Sequence, residues 1–150
     1  MIERGERFDG EGWHVMPLRV PLHEVDLGMA VYHGNYYHLF QVARDEFMRD
    51  AGFPYKSLMD RELHLTIVET HCEYRKALHY DDAIQVHTRP RWIKRRSLGV
   101  EQKITKWDDS GNAPLCTRLS LNLVCVTFQG AVTLLPKELV ACLEKHLPEP

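Results

Sequence analysis

The sequence predicts an α+β fold, an antiparallel five-stranded sheet with one long apolar helix covering its face, and a short C-terminal helix. Three observations predict it: a lone strand-like run before residue 26, a broad helical stripe over residues 36–48, and four further strand-like runs before an apolar tail. No long Pro/Gly/Ser linker and no shift in composition divides the 150 residues, so a single domain over 1–150 is expected.

Residues 14–25, "HVMPLRVPLHEV", place Met16, Leu18, Val20 and Leu22 at period two, the spacing of a half-buried strand. Pro17 and Pro21 share one parity, so both missing N–H groups fall on one side, and the strand belongs at a sheet edge. From Asn35 the period changes. Tyr36, Leu39, Phe40, Ala43, Phe47 and Met48 form a helical stripe, Asn35 is the expected N-cap, and Gly52 followed by Pro54 ends the helix near Ala51.

The next strands are expected over 63–76, 82–92, 97–106 and 115–127. In the second of these Ile84, Val86 and Trp92 share a face opposite Gln85, His87 and Arg91. Leu98, Val100 and Ile104 share a face of the third, and Leu115, Leu119, Leu121 and Leu123 one of the fourth. "DDSGN", 108–112, reads as the hairpin turn between the last two. A final helix beginning at Pro136 carries Leu139, Leu143 and Leu147.

Composition removes several function classes. A net charge of −2 offers no general attraction for nucleic acid, although "RPRWIKRR", 89–96, holds five positive charges in eight residues. No apolar run reaches 18 residues, so no spanning helix and no membrane partner are expected, and the polar N-terminus suits a cytoplasmic protein. Cys72, Cys116, Cys125 and Cys142 form no Cys-x-x-Cys pair and read as free thiols. There is no G-x-S-x-G, no H-E-x-x-H, no P-loop and no G-x-G-x-x-G, so no metal or other cofactor is expected.

The stretch "EVDLGMAVYHGNYYHLF", 24–40, joins the first strand to the helix and contains an acid, a glycine, a histidine and an asparagine. A helix N-terminus exposes unpaired amides and partial positive charge, which suits an oxygen that becomes negative during a reaction. Asp26, just upstream, then has a role as a base or nucleophile. The structural alternative is that Asp26 caps a turn around Gly28 and His33 packs at the junction.

"DLGMAVYHGNYYHLFQVAR", Asp26–Arg44, resembles the signature of hotdog-fold acyl-CoA thioesterases of the 4-hydroxybenzoyl-CoA thioesterase type. "YRKALHYDDAIQVHT" extends the likeness through Tyr74, Tyr80, Asp81 and Asp82, and "KRRSL" resembles the family's basic segment. The resemblance covers about residues 14–128. It implies a hotdog fold, an acyl-CoA substrate and a homodimer assembling to a homotetramer with the active site between subunits. It also implies that Asp26 is the catalytic carboxylate and that the amide near His33 polarises the thioester carbonyl. Tyr32, His33, Gly34 and Asn35 would shape the acyl site, and Lys94, Arg95 and Arg96 would meet the coenzyme A phosphates. The chain departs from the family pattern at Gln41, where many relatives carry glutamate, at Glu24, and at the bulkier Leu27 and Met29. Two rival readings accompany this one: a hydroxyacyl thioester dehydratase, which Gln41 disfavours, and a non-catalytic acyl-thioester-binding module.

Overall fold

The computed structural model describes residues 7–107 and 111–150. Five antiparallel strands, β1 (His14–Arg19), β2 (Leu63–Tyr74), β3 (Ala83–Ile93), β4 (Ser97–Lys106) and β5 (Leu115–Thr127), form one sheet in the order β1-β3-β4-β5-β2. The helix α1 (Tyr36–Ala51) lies on its concave face; α2 (Tyr55–Met59) and α3 (Lys137–Glu144) follow the same rules on a smaller scale. This is the hotdog architecture that the sequence implied.

The helical stripe does what its spacing requires. Tyr36, Leu39, Phe40, Ala43, Phe47, Met48 and Ala51 are all buried, facing Ile84, Val86, Leu98, Val100, Ile104, Leu119, Leu121 and Leu123 on the inner face of the sheet. Gly52 ends the helix in the left-handed region (φ 101°), a conformation that costs a side chain with a Cβ about 1 kcal/mol. Leu139 and Leu143 of α3 close the core from the other side of α1.

The first strand is shorter than its alternation suggests. It stops at Arg19, Val20 is buried with its N–H on the Asp82 carbonyl, and Leu22 enters a short 3₁₀ turn where it is exposed. Pro21 has no N–H to continue the ladder, so the chain leaves the sheet there. The edge position is as expected, since β1 pairs only with β3.

Trp92 does not share a face with Ile84 and Val86. A bulge at Arg91 sets Pro90 opposite Val100 but Trp92 opposite Gly99, which reverses the alternation. Trp92 therefore lies on the outer face over Gly99, whose missing side chain makes room for the indole: a Cβ there would stand 2.3 Å from the Trp92 nitrogen. Asn35 occupies the N-cap position of α1 as expected but makes no side-chain capping bond, because it is the last residue of a 3₁₀ turn, His33–Asn35, that runs into the helix. The expected 108–112 turn falls largely outside the described residues.

The two ends of the sheet differ in character. At one end, the start of β3, the end of β2 and the loop before α1 meet: Val31 N–H donates to Leu78 O and Ala30 bridges His79. At the other lie the β3–β4 hairpin and the start of β2. At about 3.3 Å per residue, the 11 residues of β3 hold these ends roughly 33 Å apart.

Candidate active site

Asp26 opens a tight turn. Its N–H donates to Ala30 O (3.0 Å), its carbonyl accepts from Met29 N–H (3.0 Å), and its Oδ1 accepts from Gly28 N–H (2.8 Å). Gly28 permits that approach, since a Cβ there would come within 3.0 Å of the same oxygen. Met29 holds the turn in the left-handed region at φ 69°, a strain of about 1 kcal/mol for a residue with a Cβ. Asp26 itself is exposed, and so are Leu27, Met29 and Tyr32 around it. Within one chain this carboxylate faces solvent.

The loop is nevertheless fixed from three directions. Glu24 is buried, and its carboxylate accepts from His38 Nδ1 of α1 (3.0 Å) and pairs with His23 Nε2 (2.9 Å). Its carbonyl accepts from Tyr32 N–H and from Asn35 Nδ2, both at 3.2 Å. The Asn35 side chain thus serves the loop rather than capping the helix. Across the junction, Tyr74 at the end of β2 donates its hydroxyl to His33 O at 2.8 Å, and burial pushes that phenol well above its usual pKa, so it stays a donor.

The 3₁₀ turn that enters α1 begins with Asn35 N–H on Tyr32 O (2.8 Å). The amides of His33 and Gly34 precede that first bond and have no partner inside the turn. Gly34 is packed against Tyr32, with a built Cβ 3.1 Å from the ring, so a side chain here would displace the aromatic wall. His33 stacks obliquely on Tyr32 at 4.2 Å between ring centroids. Asp26, Tyr32, His33, Gly34 and Asn35 therefore belong to one locus.

Lys94, Arg95 and Arg96 do not. They are exposed in the β3–β4 hairpin at the far end of the sheet, with Lys94 resting over the Trp92 ring at 4.9 Å. No ion pair engages any of the three among the described residues. At that far end a cavity of about 570 Å³ runs between α1, α2 and the start of β2. It is lined by Gln41, Arg44 and Met48 of α1, Tyr55 of α2, and His64 and Ile67 of β2.

Two features escaped the sequence. The Glu24–His38 contact spans 14 residues between a turn and a helix, which no local pattern records. The Arg44–Gln102 bond, 2.9 Å across the core, joins two polar residues whose strand or helix neighbours are apolar. A lone polar residue on an apolar face was the available signal for the second.

Comparison with known proteins places this geometry among relatives. Residues 20–143 match the model of the thioesterase-like superfamily. A putative esterase of Aquifex aeolicus is 32% identical over 126 residues, covering 84% of this chain and 94% of the relative. The acyl-CoA thioesterase YbgC of Haemophilus influenzae is 28% identical, covering 73% of this chain and 78% of its own. Among solved structures, a gentisyl-coenzyme A thioesterase superposes with a TM-score of 0.73 at 27% identity, covering 82% of this chain and 96% of that one.

Proposed function

The chain belongs to the thioesterase-like superfamily, and from that premise we propose that it hydrolyses an acyl-CoA thioester to the free acid and coenzyme A, in a site shared by two copies. The observation that carries the reading is the Asp26 loop: an exposed carboxylate with apolar side chains exposed around it, followed by the turn into α1 in which the His33 and Gly34 amides precede the first hydrogen bond.

The second copy follows from β2. This strand pairs with β5 on one side only, and its outer edge presents Ile67 and Val68 to solvent over a 12-residue length. A long unpaired edge is a template for a further strand. Antiparallel pairing of β2 with its own copy about a two-fold axis sets the Tyr74 end of one chain beside the Leu63 end of the other. That operation carries the partner's cavity and basic hairpin toward the Asp26 loop, joining the two ends of the sheet that one chain keeps apart. The assembly we propose is a cytoplasmic homodimer that pairs again into a tetramer.

In this site the thioester oxygen lies on the His33 and Gly34 amides, and Tyr32 and Asn35 border the acyl group. Asp26 takes the proton of the attacking water, or attacks the carbonyl itself to give an anhydride that water then opens. The C–S bond breaks, the thiolate leaves and takes up a proton, and the acid remains. A placed carboxylate contributes about 10²–10⁴ in rate and an oxyanion donor about 10²–10³. Lys94, Arg95 and Arg96 meet the phosphates of coenzyme A.

Thiol release across short, long and aromatic acyl-CoAs tests this reading. Wild type turns over at least one of them and Asp26→Asn loses 10²-fold or more. Tight binding with no thiol released on any substrate would leave a binding module, and hydration of crotonyl-CoA would favour the dehydratase.

A further inference from the structure

The cavity between α1 and β2 contains an arginine, Arg44, with which no carboxylate among the described residues forms a salt bridge. Arg44 is half-buried, and its Nη1 donates to Gln102 Oε1 at 2.9 Å. Gln102 is wholly buried and spends both hydrogens of its Nε2, on Phe40 O and on Thr88 Oγ1, each at 2.9 Å. Its oxygen must therefore face Arg44, and the guanidinium is held in place by a neutral partner. No carboxylate among the described residues forms an ion pair with it; Asp45, the next residue of α1 and also on the cavity wall, is exposed and acts only through space.

Holding a cation in this way is costly unless something offsets it, and burial indeed lowers the pKa of Arg44. The rest of the wall does not supply the missing charge. Arg49 is already paired with Glu46, and Lys56 adds a second cation against the single carboxylate of Asp45. The remaining wall combines the polar Gln41, Tyr55 and His64 with apolar Met48, Leu98 and Leu123. At about 570 Å³ the space suits a small ligand. A largely aliphatic inner wall beside a guanidinium fixed by a neutral partner fits a chain of methylenes that ends in a carboxylate, which an arginine can grip through two oxygens.

We propose that this cavity receives an acyl group bearing a terminal carboxylate, so that the preferred substrates are monothioesters of dicarboxylic acids, with Arg44 as the residue that recognises the free acid. The inference rests on the thioesterase reading above, because it assigns the acyl half of that same substrate.

Calorimetric binding to the Asp26→Asn protein separates the two claims, since it needs no turnover. Glutaryl-CoA and pentanoyl-CoA have acyl chains of equal carbon number and differ in the end group. Glutaryl-CoA binds at least tenfold tighter, and Arg44→Gln brings the ratio close to one, while Arg44→Lys keeps part of it. Equal affinity in the parent protein overturns the proposal, as does an unchanged ratio in Arg44→Gln. If free coenzyme A loses as much affinity as glutaryl-CoA in that variant, Arg44 serves the phosphates and the proposal also falls. Should Arg44→Gln fail to fold, the ratio in the parent and in Arg44→Lys decides. A protein that prefers glutaryl-CoA but releases thiol from nothing sinks the enzyme reading and spares this one.

Discussion

The hydroxyl of Tyr74 donates to the backbone carbonyl of His33, 2.8 Å away, and so ties the last residue of β2 to the first turn before α1. The bond fixes the peptide plane that follows His33, and with it the direction of the Gly34 amide. Removing it tilts the amide proposed above as an oxyanion donor without removing any group proposed to touch water or thioester. Tyr74→Phe therefore lowers kcat about five- to tenfold, the worth of roughly 1 kcal/mol, with KM and Tm little changed. Steady-state thiol release checks the split.

Glu24 carries a different weight. It is the buried acceptor for two imidazoles and, through its backbone, for Tyr32 and Asn35. Glu24→Ala leaves His38 without a partner and opens space under the loop, at a cost of about 1–3 kcal/mol. Tm and activity fall together, whereas Glu24→Gln, which keeps an acceptor, recovers most of the stability. Thermal unfolding of the pair of variants distinguishes anchor from bystander.

A lysine on the outer edge of β2 blocks strand addition without touching the core. Val68 is 60% exposed in one chain, at the bulge between Ile67 and Glu69. Val68→Lys sediments at the mass of one chain, keeps its far-ultraviolet circular dichroism and loses thiol release. A monomer that stays fully active is the opposing result.

Stability has a predictable acid limb. Burial, reinforced by the nearby Lys103 charge, lowers the pKa of His87 to about 4 from an ordinary 6.5. Between those values the unfolded chain binds a proton that the folded chain refuses, so protonation favours unfolding. The contribution is complete above about pH 6.5, declines as pH falls toward about 4, and is flat below it. His14 shifts in the same direction through burial, opposed by its bond to Asp50. His87→Gln flattens the decline of Tm between about pH 7 and pH 5, and an unchanged slope would contradict the assignment.

What could be read without coordinates divides along physical lines. Periodicity reports a residue's face, so the stripe from Tyr36 to Met48 and the inward Leu119, Leu121 and Leu123 of β5 were legible, though not the register shift that keeps Leu115 out of the core, and the prolines gave the edge. Interruptions of periodicity were not. The bulge at Arg91 inserts one residue and silently turns Trp92 outward, and Pro21 ends β1 before its apolar alternation does. The locus from Asp26 to Asn35 was legible because it is contiguous. Its distance from Lys94, Arg95 and Arg96 was not, because a motif has no length across a sheet. The likeness to a family joined residues that one chain holds at opposite ends, and the second copy proposed above would reconcile the two by bringing them together.

Mixing two inactive variants tests that reconciliation most directly. Asp26→Asn lacks the carboxylate, and a chain with Lys94, Arg95 and Arg96 all changed to alanine lacks the basic hairpin. Unfolded together and refolded, half the dimers are mixed, and each mixed dimer has one site with both an intact Asp26 and an intact hairpin. Thiol release at low substrate then returns to about a quarter of wild type. A mixture no more active than its two parents would contradict a site shared between copies.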